Sequence, residues 1–141
     1  MSTSNLVKRS GWVLAAVFAA VGGLFLLAPG APIMFFNRFS AAFGLPAAPV
    51  PEFQFYLVLA VAYMYVVTVL AVLMARHPED LRLPLLLAQA KLFSSGLSLA
   101  VFLVHRRWLI LAANAVTDGT IGAYALWLRR RIRRDAERSR P

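Results

Sequence analysis

The chain has 141 residues, of which 60% are hydrophobic and 15% charged, with fifteen Lys and Arg against six Asp and Glu, two His and no Cys. An ordinary soluble domain runs to about 45–50% apolar and about 25% charged residues, so this composition excludes that class. The missing cysteines exclude disulfides, thiolate metal sites and Cys-x-x-Cys redox chemistry.

The apolar residues gather into four blocks, at about 12–29, 53–75, 83–104 and 108–128. Each is close to the roughly 20 residues a helix needs to cross about 30 Å of hydrocarbon. Four such blocks in so short a chain leave little to form a water-facing surface. The expected fold is therefore an all-α integral membrane protein, a four-transmembrane-helix bundle. It comprises a cytoplasmic N-terminus at 1–10, a single transmembrane domain at 11–128 and a basic cytoplasmic tail at 129–141.

Lys8 and Arg9 precede the first block and Ala28, Gly30 and Ala31 follow it, which imitates a secretory signal. Its apolar stretch is longer than a signal core, and Pro29 and Pro32 crowd the would-be cleavage site, so a retained first span is expected. Gly22-Gly23 falls near its middle, where missing side chains permit close helix approach or a small cavity. Pro29 closes the helix.

The next twenty residues are apolar although they connect two spans. Phe35, Phe39 and Phe43 recur every four residues beside Phe36, with Asn37, Arg38 and Ser40 as polar positions. One face of a short helix would be aromatic, which suits a segment lying in the headgroup layer. A loop packed over the mouth of the bundle and a docking surface for another membrane subunit are the alternatives.

In the second span, Pro51 and Glu52 suit a first helical turn, and Tyr63, Tyr65 and Thr68 lie near mid-membrane. Asp80 is the expected N-cap of the third span, with Pro84 tolerated in its opening turn. There Lys91, Ser94, Ser95 and Ser98 are spaced i, i+3, i+4, i+7 and share one face. His105-Arg106-Arg107 is so short a connection that spans three and four must be antiparallel neighbours. On span four Asn114, Thr117 and Asp118 form a second stripe, extended by Gly122.

Counting from the hairpin at 1.5 Å per residue brings Ser98 level with about Asn114 and Ser94 with about Asp118, leaving Lys91 roughly 4 to 5 Å deeper. A lysine stem covers that offset, although side chains lean toward their own helix N-terminus, which moves these two apart. Tyr65 of span two should lie nearly level with Lys91. A charge at this depth is costly and rarely present without a partner or a task. Lys91 and Asp118 are therefore the main site candidates, with Asn114, Ser94, Ser95, Ser98, Tyr63 and Tyr65 as further binding candidates. Taken singly, the serines and threonines are ordinary packing residues and the tyrosines ordinary core aromatics. A static salt bridge is the structural alternative for the charged pair.

Trp12, Trp108 and Trp127 fall at span ends, the usual interfacial position of that ring. With the N-terminus inside, inner segments hold eleven Lys and Arg against three outside, which places both termini in the cytoplasm of a multi-pass protein of the cell (inner) membrane. Arg129, Arg130, Arg131, Arg133 and Arg134 lack interleaved aromatics and begin at the end of a span. Anionic lipid headgroups are their expected partner, at about 1 kcal/mol per basic residue, and nucleic acid is not.

His77 and His105 lie at opposite membrane faces, and no phosphate loop, H-E-x-x-H or nucleophile elbow is present, so neither catalytic residue nor metal nor cofactor is implied. No repeat relates the two halves of the chain, which weakens an inverted-repeat transporter reading. The general layout is similar to that of compact four-span bacterial proteins, DoxX-like ones among them. The stretches from Gln89 to Ser95 and from Asn114 to Gly119 look like motifs, and no activity is carried over from them. Three functions remain. An integral subunit or scaffold of a membrane complex, as a homo-oligomer or with other membrane subunits, leads. A small-molecule- or proton-binding carrier follows, and an intramembrane lipid-modifying enzyme is third.

Overall fold

The computed structural model describes residues 2–50 and 55–138, and all regular structure among them is helical. Helix α1 runs Thr3–Leu27, α2 Ala31–Ser40, α3 Phe55–Arg76, α4 Arg82–Val104 and α5 Leu109–Arg138, with a 3-10 turn at Ala41–Phe43 after α2. The four long helices, α1, α3, α4 and α5, are long and apolar enough to cross a membrane. The expected helix start at Pro51 and Glu52, and the first residues of the second expected span, lie outside the described residues.

Two helices outrun their apolar blocks. Helix α1 begins at Thr3, where the Ser2 hydroxyl accepts the Asn5 N–H at 3.3 Å and so caps an otherwise unpaired donor. Helix α5 continues through the arginines to Arg138. Arginine, alanine and glutamate are good helix formers, and Arg133 pairs with Glu137 one turn on at 2.8 Å. Buried Ile132 then joins the core that holds Val7 of the α1 extension. At the start of α4, a carboxylate oxygen of Asp80 accepts the Arg82 N–H at 2.8 Å.

In chain order the long helices alternate direction, so the ends near both termini lie at one end of the bundle, here the terminal end, and α2 lies at the other. The tightest packing is of α1 along α3 and of α4 along α5; α3 meets α4 less extensively, and α1 meets α5 over a short stretch. Small residues make the tight pairs possible. A Cβ on Gly11 would sit 2.7 Å from the Ala75 nitrogen and 2.8 Å from the Ala71 oxygen, so α1 and α3 touch backbone to backbone. A Cβ on Gly122 would sit 2.7 Å from Leu92 Cγ, where α4 and α5 touch.

Packing is uneven along the bundle axis. Val7, Phe18, Val67, Met74, Leu87 and Leu128 are fully enclosed. Toward the far end Leu27, Leu103 and Val104 stand 85%, 62% and 75% exposed. Helix α2 lies across that end, against α5 and the end of α1. Phe35 stacks edge-on with Phe36 and Phe39, each at 5.3 Å between ring centres. The Asn37 side chain donates to the Ala48 carbonyl at 2.7 Å and accepts the Ala48 N–H at 2.8 Å, which pins the following segment onto α2. Gly44 takes the left-handed conformation, φ 63°, that turns the chain out of the 3-10 turn.

Candidate functional site

Lys91 is carried about 14 Å into α4 by its helical rise, and Asp118 about as far into α5 from the opposite end. Lys91 Nζ donates to Asp118 Oδ1 at 2.9 Å, with the two residues only 3% and 5% exposed. The four-carbon stem overcomes the axial offset and the opposed lean of the two side chains. The ammonium also lies 4.6 Å from the centre of the Phe18 ring on α1 and 5.1 Å from that of Tyr63 on α3. The cation carried by α4 is thus touched from the other three long helices. The attraction of the carboxylate and of the two ring faces offsets a desolvation that neither charge tolerates alone. The Tyr63 hydroxyl is turned to α4, where it donates to the Ala90 carbonyl at 3.1 Å.

The serine stripe of α4 meets α5 in two ways. Ser95 donates to the Ala115 carbonyl at 2.6 Å, and a Cβ on Gly119 would meet its hydroxyl at 2.9 Å, so Gly119 makes room for this crossing. Asn114 donates to Ser98 at 2.8 Å and to Ser94 at 3.5 Å. Ser98 and Asn114 therefore stand level, as the count from the hairpin gives. Thr68 bonds back to the Met64 carbonyl at 2.6 Å, within its own helix.

Lys91, Asp118, Tyr63, Ser94, Ser95, Ser98 and Asn114 are brought together. Tyr65 is not. It is 71% exposed and borders a shallow groove of about 240 Å³ with Gly22, Gly23 and Thr68 on the opposite side of α3. Of the expected lipid-headgroup residues, Arg130, Arg131, Arg133 and Arg134 are exposed, with Arg131 stacked 4.8 Å over the Trp127 ring. Arg129 is half-buried, and its Nε has no hydrogen-bond partner among the described residues.

Three contributors carry no sequence signal. Phe18 is one apolar residue among many in α1, and nothing in its spacing marks it as the ring beneath the lysine. Ser10 and Tyr124, 114 residues apart, share a hydrogen bond at 2.7 Å that ties α1 to α5 at the terminal end. Above the ion pair, toward the far end, α1 and α5 part around a cavity of about 710 Å³ roofed by α2. Its walls, among the described residues, are apolar except for Ser98, Asn114 and Thr117. Among the described residues, no three His, Cys, Asp or Glu side chains are grouped as a metal site.

Comparisons with family models, with curated proteins and with solved structures return no match for this chain.

Proposed function

We propose that this is a multi-pass protein of the cell (inner) membrane with both termini cytoplasmic, acting as an integral subunit or scaffold of a membrane complex. The Lys91–Asp118 pair then serves to hold four spans in fixed register. The observation that carries this reading is the closure of the pair: a 2.9 Å contact, nearly fully buried, with the rings of Phe18 and Tyr63 over the cation. Beneath it, toward the terminal end, enclosed Val67, Met74, Leu87 and Leu128 pack as apolar side chains that offer no polar step of their own. A carrier would need such a step in addition to the opening above the pair.

The eleven-to-three asymmetry of basic residues supports the orientation, and the exposed arginines of α5 support attraction to anionic headgroups at the cytoplasmic face. Extraction of the full chain from native membrane into nanodiscs, followed by mass measurement, tests the assignment. A subunit gives a mass well above the 15.5 kDa of one chain, held equally by the Lys91→Met/Asp118→Asn double variant. A lone chain in native lipid sinks the proposal. Reporters placed in 41–48 and at the C-terminus report opposite membrane faces if the orientation is right, and the same face if the four-span topology is wrong.

A further inference from the structure

The cavity at the far end goes beyond that reading and stands on separate observations. It measures about 710 Å³, within the roughly 300–1,000 Å³ of small-molecule sites. Val21, Leu24 and Phe25 of α1 form one wall, Ile110 and Leu111 of α5 another, and Phe36 of α2 the roof. Among the described residues, no charged side chain lines it. Two of its polar groups, Asn114 and Thr117, are exposed and lie about 8 and 12 Å along α5 from its outer end.

Those groups retain hydrogen-bonding capacity. Thr68 and Thr120 donate to their own helices, at Met64 and Val116, as a span threonine does when nothing else is offered. Thr117 makes no such bond among the described residues, and it faces the cavity. The Asn114 amide spends its NH2 on Ser98 and Ser94, which leaves its oxygen as an acceptor; with the amide turned over, the spare group is a donor instead. A deep, uncharged pair that both donates and accepts is poorly matched to an acyl chain, which offers neither. It suits a hydroxyl.

We propose that this cavity binds an elongated apolar molecule through one neutral hydroxyl group, a long-chain or isoprenoid alcohol in chemical class, seated on Asn114 and Thr117 with its chain against α1 and α2. A bulk phospholipid places its head at the membrane rim and presents only hydrocarbon at this depth. A fatty acid brings a charge that the walls do not neutralise.

The full chain in phosphatidylcholine nanodiscs is photolabelled with hexadecanol carrying a mid-chain diazirine, and in parallel with its methyl ether. Peptide mapping is expected to place the alcohol on the walls around Phe36 and Leu111, at about five times the yield of the ether, as befits one lost hydrogen bond of about 1 kcal/mol. Asn114→Leu lowers alcohol labelling several-fold and leaves ether labelling unchanged, so the ether serves there as the check that the cavity still exists; Thr117→Val lowers both, because the ether oxygen still accepts the Thr117 hydroxyl. Equal labelling by alcohol and ether means acyl-chain occupancy only and overturns the proposal. So does alcohol labelling centred on the groove at Tyr65, or labelling indifferent to both substitutions. The mass of the native assembly is read separately, so either proposal fails without the other.

Discussion

At the terminal end, Gly11 lets α1 ride on the backbone of α3, Ser10 reaches Tyr124 across the α1–α5 seam, and Met74, Leu87 and Leu128 are wholly enclosed. At the far end Leu27 and Val104 stand clear, and a cavity keeps α1 from α5. Both halves are built of the same apolar residue types, so hydrophobicity does not explain the difference. Lipid tails are as apolar as leucine, and helices in a membrane associate only where small residues permit contact or polar groups meet. The terminal half has the first device where Gly11 of α1 meets α3 and the second where Ser10 meets Tyr124 at the α1–α5 seam, and that seam has no such polar contact in the far half among the described residues. The ion pair marks the boundary between the two regimes.

The strongest test acts on that boundary. Lys91→Met or Asp118→Asn strands the remaining charge, and each is expected to cost about 3–5 kcal/mol in a reversible unfolding titration in mixed micelles. The double variant should recover much of the loss; additive losses would uncouple the pair and remove the boundary. Close approach comes next. Gly11→Val meets backbone atoms of Ala71 and Ala75 that cannot yield, and a loss of about 1–3 kcal/mol or more is expected. Gly23 meets nothing within 4 Å, so Gly23→Ala should stay within about 0.5 kcal/mol. Equal effects would mean that the helices are not closer at the terminal end.

Side-chain truncation sharpens the contrast further. Met74→Ala and Leu128→Ala open voids among enclosed neighbours and should each cost about 1–3 kcal/mol, below the soluble-core range because no transfer from water is involved. Leu27→Ala and Val104→Ala, at exposed positions, should fall within about 0.5 kcal/mol of the parent chain. The smallest effect belongs to the α1–α5 bond. Ser10→Ala and Tyr124→Phe should show a coupling of about 0.6 kcal/mol in a double-mutant cycle, typical of hydrogen bonds between membrane helices. A coupling indistinguishable from zero would leave the seam held by apolar packing alone.

The four apolar helices, the shared face of Lys91 and the serines, and the level pairing of Ser98 with Asn114 are legible in the amino-acid sequence. These follow from composition, from the 3.6-residue period and from a three-residue hairpin that leaves no freedom of register. The reach of Lys91 to Asp118 is legible there too, while the opposed lean of the two side chains left the pairing itself to the structure. Which way span two turns is set by packing. Tyr63 and Tyr65 project about 200° apart on α3, so one faces Lys91 and the other faces outward. Span two is apolar on every side, so its sequence contains no preferred face and packing against α1 and α4 makes the choice. The same holds for Phe18 beneath the ammonium and for the run of α5 to Arg138, where Ile132 finds a place in the core beside Val7. Hydropathy reports how deep a residue sits. Rotation about the helix axis, and the parting of two helices around a cavity, depend on contacts between residues as far apart as Ser10 and Tyr124, which no local pattern records.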